Sequence, residues 1–174
     1  MKAVSTNVEI KARCADLARA REVTASLATE HVGLDDQTDT YFCTRAGRLK
    51  LRESSRSGAQ LIAYRRPDLE GARRSDYVVL PVADPRLLKE MLREQLGVHV
   101  VVHKTRDVWL YHEVRVHLDR VDSLGDFVEL EAVFDGTPAG ERDQHEPLTF
   151  LCAKLEIQPS EWVATSYEAL ASRP

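Results

Sequence analysis

The chain has 174 residues, of which 43% are hydrophobic and 30% are charged, and its net charge is −4. This composition is typical of a folded globular protein, and the length suffices for one domain with a sizeable core. It excludes disordered, collagen-like and mucin-like chains, and it argues against a protein that binds nucleic acid through its net charge. No segment has the apolar run of a signal peptide or of a membrane span.

The cysteines are Cys14, Cys43 and Cys152, and their spacing matches neither a disulfide framework nor a zinc site. We interpret all three as buried free thiols in a reducing compartment. Together with the lack of a signal peptide, they predict a cytoplasmic protein that has no membrane partner.

The first elements in chain order are a strand, a helix and three further strands. Strict alternation in "NVEIKARC", from residue 7, predicts a strand with one charged face. The segment "ADLARAREVTASLATEHVGL" predicts a helix that begins at Asp16 as N-cap and stops near Gly33. In "DDQTDTYFCTRAGRLKLRESSRSGAQLIAYRRPD", turn signals at Gly47 and Gly58 separate three short strands.

The second half of the chain continues this order of elements. The segment "SDYVVLPV" predicts a strand, and "DPRLLKEMLREQLGV" predicts a helix that is capped by Asp84 and ends at Gly97. Three strands follow in "VVVHKTRDVWLYHEVRVHLDRVDSLGDFVELEAVF", and Gly125 lies in a hairpin turn between the last two. The C-terminal part of the chain, from Pro138 on, is predicted to be helical around the segments "PLTFLCAKLEI" and "PSEWVATSYEAL". Strands in runs, without regular alternation with helices, predict an α+β fold with a mostly antiparallel sheet.

Six of the strands combine one apolar face with one face that is dominated by ionisable side chains. A single charged face is usually solvated, but like charges side by side on a sheet repel one another. We therefore expect the helices to cover the apolar faces and the charged faces to line a barrel or tunnel. The basic residues on these faces are Lys11, Arg13, Lys50, Arg52, Arg66, Lys104, Arg106 and Arg115.

So many cations favour a polyphosphate ligand, because arginine binds phosphate oxygens in pairs and lysine supplies a compact charge. The acidic residues of the same faces are Glu9, Glu129, Glu131 and Asp119. Carboxylates among cations suit Mg²⁺ or Mn²⁺, which bind a few carboxylates, water and the phosphate oxygens of a substrate. Charge balance with the neighbouring arginines is the alternative explanation of these acids.

Seven segments resemble, in order and spacing, the CYTH superfamily of triphosphate tunnel metalloenzymes. They are "VEIKAR", "QTDTYF", "GRLKLR", "LIAYRRPD", "KTR", "EVRVHLDRVDSLGDFVELE" and "TSYEAL". This resemblance implies that the whole chain, residues 1–174, is a single CYTH domain. It further implies an eight-stranded antiparallel β-barrel with helices on the outside, whose lumen binds a triphosphate and a divalent metal.

Carried over by position, the resemblance assigns metal binding to Glu9, Glu129 and Glu131, and triphosphate binding to the eight basic residues. The residues that it implies as catalytic are Lys11, Arg106 and Asp119. For His117, Tyr41 and Tyr64 the sequence leaves two interpretations, which are contact with a ligand in the lumen and packing within the protein. One position departs from the family's opening motif, because Asn7 stands where a first glutamate is usual. An uncharged residue there weakens any site that needs two metals.

The length and the segments "LIAYRRPD" and "LGDFVELE" are most similar to class IV adenylate cyclases, which convert ATP into cyclic AMP and pyrophosphate. Two alternatives stay open. The first is a hydrolase of inorganic or thiamine triphosphate, and the second is a non-catalytic module that binds a nucleotide or polyphosphate. The barrel and its helices could also support a homodimer, although no apolar stripe demonstrates one.

Overall fold

The computed structural model describes residues 5–65, 73–134 and 137–172. Within these ranges the chain forms eight strands and five α-helices. The strands are β1 (Ser5–Arg13), β2 (Glu30–Phe42), β3 (Arg48–Ser54), β4 (Gly58–Arg65), β5 (Arg73–Val82), β6 (Val98–Tyr111), β7 (Val114–Val121) and β8 (Gly125–Phe134). The helices are α1 (Leu17–Leu27), α2 (Pro85–Leu96), α3 (Pro138–Asp143), α4 (His145–Lys154) and α5 (Tyr167–Ala171).

The strands close into one barrel in the order β1-β5-β4-β3-β2-β6-β7-β8. All neighbours are antiparallel, and β8 pairs back onto β1, so that the ring has no unpaired edge. This architecture confirms the α+β class and the eight-stranded antiparallel barrel that the sequence predicts.

The main hydrophobic core lies outside the barrel, between its wall and two helices. Val116, Leu130 and Ala132 point outward from β7 and β8 and are completely buried. Ala20 of α1 and Leu151 of α4 pack in the same cluster. Because the apolar faces are covered from outside, the opposite faces of these strands are directed into the lumen.

A second, smaller core closes one end of the barrel. It joins Tyr41, Val121 and Phe127 of the strands to Tyr167 at the start of α5. Ser166 caps this short helix by accepting a hydrogen bond from the backbone N–H of Ala169. The C-terminal helix therefore contributes a side chain to the inside of the barrel.

The first predicted helix is shorter than its sequence pattern suggests. Asp16 caps α1 as expected, since its side chain accepts a hydrogen bond from the backbone N–H of Arg19 at 2.9 Å. The helix ends at Leu27, however, and Glu30 already pairs with Leu110 as the start of β2. Gly33, with φ +113°, lies at a register shift between β2 and β6 instead of at a helix end. The residues after the helix form a strand because they pair with β6, and the periodicity of a single sequence cannot predict such pairing between distant segments.

The predicted boundaries of α2 are confirmed. Asp84 accepts a hydrogen bond from the backbone N–H of Leu87 at 3.0 Å, and Gly97 ends the helix with a positive φ of 76°. No helix within the described ranges combines the length and the apolar character needed to cross a membrane.

Candidate active site

A cavity of about 470 Å³ occupies the barrel lumen. Besides four tyrosines, its ionisable lining residues are Glu9, Lys11, Lys50, Arg52, Lys104, Arg106, Arg115, His117, Glu129 and Glu131. These residues come from β1, β3, β6, β7 and β8. The alternation in the sequence therefore places the charged faces around one cavity.

Arg106 on β6 holds two carboxylates at once. Its Nε and Nη2 atoms donate to the two carboxylate oxygens of Asp119 on β7, at 2.7 and 2.6 Å. Nη2 also donates to Glu129 on β8 at 2.5 Å. Asp119 is completely buried behind Arg106 and does not line the cavity. Burial by itself would raise the pKa of Asp119, but the charge of Arg106 outweighs it and lowers that pKa.

Glu129 is the most heavily engaged carboxylate of the lining. Besides the contact with Arg106, it lies 3.5 Å from Nζ of Lys11 and 3.7 Å from Nδ1 of His117. Burial opposes ionisation of Glu129, but the charges of Lys11 and Arg106 hold its pKa well below the usual range. Glu129 is therefore an anion whose charge is balanced by the bases around it.

Glu131 lies one position further along the same face of β8. Its carboxylate accepts hydrogen bonds from Nδ2 of Asn7 at 2.5 Å and from Nη1 of Arg115 at 3.2 Å. Burial opposes ionisation here too, while His117 and Arg115 lower the pKa of Glu131. The Oδ1 atom of Asn7 is buried and has no hydrogen-bond partner among the described residues.

The three predicted metal ligands share the cavity without forming a compact cluster. Across the described ranges, no group of three His, Cys, Asp or Glu side chains is close enough to hold a metal ion. Glu9 does lie opposite Glu131 in the pairing of β1 with β8. The donor chemistry nevertheless fits a hard divalent cation, because Glu129, Glu131 and the unpartnered Oδ1 of Asn7 all offer oxygen. Water and substrate oxygens would supply the remaining ligands.

A second charged group surrounds Asp39 on β2, which is only 1% exposed. Arg52 donates to both of its carboxylate oxygens at 2.7 Å, and Nζ of Lys50 donates to Oδ2 at 2.8 Å. Nζ of Lys104 lies 3.6 Å from the same oxygen. Burial opposes ionisation of Asp39, but these three cations keep its pKa well below the usual range. The sequence does not predict Asp39 as a site residue, although Asp39 shares a strand face with Tyr41 in "QTDTYF".

The two lysines of this group have lowered pKa values. Burial, followed by the charge of Arg52, lowers the pKa of Lys50 to about 8 against the opposing effect of Asp39. Burial, followed by the charge of Arg106, lowers the pKa of Lys104 to about 7. Both ammonium groups therefore titrate close to neutral pH.

Tyr167 enters the lumen from α5, outside the barrel strands. Its hydroxyl donates to Oδ2 of Asp119 at 2.9 Å. Nζ of Lys11 lies 4.3 Å from the centre of its ring, which is a cation–π distance. The sequence signal for this residue is the segment "TSYEAL", which alone gives no reason to place a tyrosine inside a barrel.

The predicted phosphate-binding residues divide into three groups. Six of them line the cavity: Lys11, Lys50, Arg52, Lys104, Arg106 and Arg115. Arg13 does not line it, because β1 runs past the end of the cavity. The guanidinium of Arg13 instead donates to the carbonyl oxygen of Leu124 at 3.2 Å and lies over the ring of Phe127. Arg66 falls outside the described residues.

The three lumen candidates that the sequence left undecided all line the cavity: Tyr41, Tyr64 and His117, which faces Glu129. The two tryptophans of the chain lie elsewhere. Trp109 packs in the outer core and stacks on His31, and Trp162 also packs against that core.

One part of the lumen wall carries neither lysine, arginine nor carboxylate among its described residues. On β4 and β5 the cavity is lined by Gln60, Ile62, Tyr64, Tyr77 and Val79. The charged side chains described above lie on the other strands. Among the residues that the structure describes, the lumen therefore has a charged wall on the other strands and an uncharged wall on β4 and β5.

Comparison with known proteins identifies similar sequences and folds. The model of the CYTH domain family matches residues 5–156. Among solved structures, a protein from Pyrococcus horikoshii OT3 is 21% identical to this chain and superimposes with a TM-score of 0.80. The alignment covers 94% of this chain and 98% of the other chain. A candidate adenylate cyclase from Vibrio parahaemolyticus has 19% identity and a TM-score of 0.82, covering 98% of this chain and 100% of its own.

A third similar structure is that of a Hippeastrum adenylyl cyclase candidate with a dominant triphosphatase activity. It has 16% identity and a TM-score of 0.64, and it covers 95% of this chain and 94% of its own. At such identities the three structures demonstrate the shared fold. No curated protein matches the sequence.

Proposed function

We propose, since the chain belongs to the CYTH domain family, that it is a metal-dependent enzyme of the class IV adenylate cyclase type, which converts ATP into cyclic AMP and pyrophosphate. The lining of the tunnel supports this proposal most directly. Six lysines and arginines surround a cavity that also contains three glutamates. A chain of three phosphates supplies the opposite charge that such a lumen needs.

The arginines would bind the triphosphate in fixed orientations. Arg52 and Arg106 both use Nε and Nη2 to bind a buried aspartate. We assign the Nη1 side of each guanidinium to phosphate oxygens. Lys11 would move from Glu129 to the phosphate once the substrate is bound, because the phosphate carries the greater charge. Positioning and charge neutralisation of this kind are what in-line phosphoryl transfer requires.

Glu129 and Glu131, with Glu9 nearby, are the residues that we assign to a divalent cation, Mg²⁺ or Mn²⁺. When bound, such a cation neutralises phosphate charge and polarises the attacking hydroxyl. The two glutamates are held as anions by their surroundings, so that they can bind a cation without first losing a proton. Asn7 would contribute its carbonyl oxygen, which compensates in part for the missing first glutamate.

The uncharged wall favours an organic triphosphate over a short inorganic one. Ile62, Tyr77 and Val79 offer apolar and aromatic surface that a bare triphosphate does not use. The cavity of about 470 Å³ also falls within the range of sites that enclose a drug-sized ligand, roughly 300–1,000 Å³. We assign this wall to the nucleoside part of ATP.

The second candidate function is hydrolysis, in which water attacks the terminal phosphorus of a triphosphate. The same charged wall would serve it, and the dominant triphosphatase activity of the Hippeastrum protein supports this alternative. The two reactions differ in the attacking oxygen and in which phosphorus it attacks, so that their products distinguish them.

We also propose that the functional unit is the whole chain, residues 1–174, as one CYTH domain. The family match ends at residue 156, but Ser166 and Tyr167 line the cavity beyond it. A version that ends at residue 156 would lose the hydroxyl that binds Asp119.

The test is metal-dependent formation of cyclic AMP. Purified protein is incubated with ATP and either Mg²⁺ or Mn²⁺, with EDTA in the control. The proposal requires cyclic AMP in the presence of metal and none with EDTA. Formation of orthophosphate alone would instead assign the protein to the hydrolases.

A further inference from the structure

We propose that Asp39 is a positioning residue, which holds Lys50, Arg52 and Lys104 in the arrangement that receives the triphosphate. Asp39 does not line the cavity, whereas all three bases do. It therefore acts on a ligand through other side chains. This inference rests on the proposed function, because it presumes that the tunnel binds a triphosphate.

The pairing of the strands explains why one carboxylate can reach three cations. Strand β2 lies between β3 and β6 in the barrel. In this sheet Asp39 is the partner of Arg52 on one side and of Val102 on the other. Lys50 and Lys104 each lie two residues from one of these partners, on the same strand face. Asp39 is thus the shared anion at the base of the group.

Without that anion the three cations would face one another directly. Like charges on neighbouring strands repel, and long side chains would turn apart into different rotamers. The bidentate hydrogen bonds from Arg52, both of 2.7 Å, fix the plane of its guanidinium. The contact of 2.8 Å with Lys50 fixes the direction of that side chain as well.

Asp39 also favours the protonated, positively charged form of Lys50 and Lys104. Its charge raises the pKa of both lysines, against burial and the neighbouring arginines. The groups that bear on Lys50 are Arg52, Asp39, Arg106, Tyr41 and Tyr64. Those that bear on Lys104 are Arg106, Asp39, Arg52, Asp119 and Tyr167. Removing the charge of Asp39 would therefore shift the loss of both protons to lower pH.

The variant that tests this role is Asp39→Asn, which keeps the shape of the side chain and removes its charge. The matched control is Asp107→Asn. Asp107 is also a buried carboxylate of the barrel wall, but it binds Arg21 and His31, and it does not line the tunnel. Both variants lose a buried acid, and only the first changes the bases of the lumen.

The measurement is calorimetric titration with inorganic triphosphate between about pH 6 and pH 9, a range that brackets the pKa values of Lys104 and Lys50. Thermal unfolding first establishes that each variant is folded. We expect Asp39→Asn to bind at least about tenfold more weakly at neutral pH, and we expect its affinity to fall at lower pH than that of the wild type, because its lysines lose their protons at lower pH. We expect Asp107→Asn to bind like the wild type.

A second variant, Asp39→Glu, keeps the charge but moves the carboxylate by one methylene group. We expect it to retain the wild-type pH profile with weaker binding, which a purely structural role would not produce. Wild-type affinity and pH profile in either folded variant of Asp39 would overturn the inference and leave the proposed function intact. Failure of the wild-type protein to bind inorganic triphosphate would overturn both.

Discussion

Arg106 donates to Glu129 at 2.5 Å, so that a proposed phosphate-binding residue and a proposed metal-binding residue form an ion pair with each other. Binding of substrate and metal would separate this pair, because the phosphate offers Arg106 a new partner and the cation offers one to Glu129. The same guanidinium stays fixed from behind by Asp119. The pair thus allows two charged side chains to be buried in the lumen, because each neutralises the other.

Replacement of Glu129 by glutamine should separate binding from turnover. We expect Glu129→Gln to lower metal-dependent turnover by about 100-fold or more. Binding of inorganic triphosphate without metal should persist, because Lys11 and Arg106 lose a competing anion. Steady-state kinetics and calorimetric titration of the same preparation provide the two measurements. Normal turnover in this variant would show that Glu129 is not a metal ligand.

Removal of Arg106 should cost stability as well as binding. Arg106→Ala leaves Asp119 buried without its main counter-charge and removes one of the two cations beside Glu129. Loss of one partner of a buried ion pair typically costs about 3–5 kcal/mol. Arg106→Lys keeps the charge but loses the paired hydrogen bonds to Asp119, so it should be destabilised less. Urea unfolding measures both variants, and Arg13→Ala is the control, because Arg13 is exposed at the end of the barrel. Wild-type stability of Arg106→Ala would contradict the bridging role.

The charged faces that line the lumen follow from the sequence because they depend on the period of two along a strand, whereas the eight-stranded barrel is implied by the resemblance to the CYTH superfamily. Glu129 and Glu131, or Lys50 and Arg52, must share a face in any strand. The contributions of Asp39 and Tyr167 do not follow, because they depend on which strands are neighbours and on where the C-terminal helix packs. Arg13 shares the charged face of β1 but lies beyond the cavity, since alternation does not give the length of a tunnel.

The pH dependence of ligand binding should follow the two lysines with lowered pKa values. Lys104 and Lys50 have pKa values of about 7 and about 8, so the tunnel loses positive charge as the pH rises through this range. Affinity for inorganic triphosphate should therefore fall between about pH 6 and pH 9. Calorimetry should also detect proton uptake on binding, because the phosphates favour the charged lysines.

The stability of the ligand-free protein should respond to pH in the opposite direction. Both pKa values lie below the roughly 10.4 of an unfolded lysine, so the unfolded chain binds more protons above about pH 7. These two groups thus contribute stability that increases as the pH rises towards 10. Thermal unfolding with and without inorganic triphosphate gives both trends, and a ligand-induced increase in melting temperature that grows with pH would contradict the assignment.

The uncharged wall should contribute to the binding affinity for ATP but not to that for inorganic triphosphate. We expect the double variant Ile62→Ala/Val79→Ala to weaken ATP binding by about tenfold, because it removes apolar surface from the proposed nucleoside contact. Binding of inorganic triphosphate should be unchanged. Leu80→Ala is the control, since Leu80 is 53% exposed and lies on the opposite face of β5 from Val79. If the variant bound ATP and inorganic triphosphate with equally reduced affinity, the nucleoside could not be assigned to this wall.

Product analysis tests the central claim most directly. Purified protein is incubated separately with ATP, thiamine triphosphate and inorganic triphosphate, each with Mg²⁺ and then with Mn²⁺, and the products are separated by chromatography. The proposed function predicts cyclic AMP and pyrophosphate from ATP, and neither product when EDTA is present. Orthophosphate from a triphosphate, without cyclic AMP, would contradict the cyclase assignment and establish a hydrolase. No product from any of the three, with inorganic triphosphate still bound, would contradict both catalytic proposals.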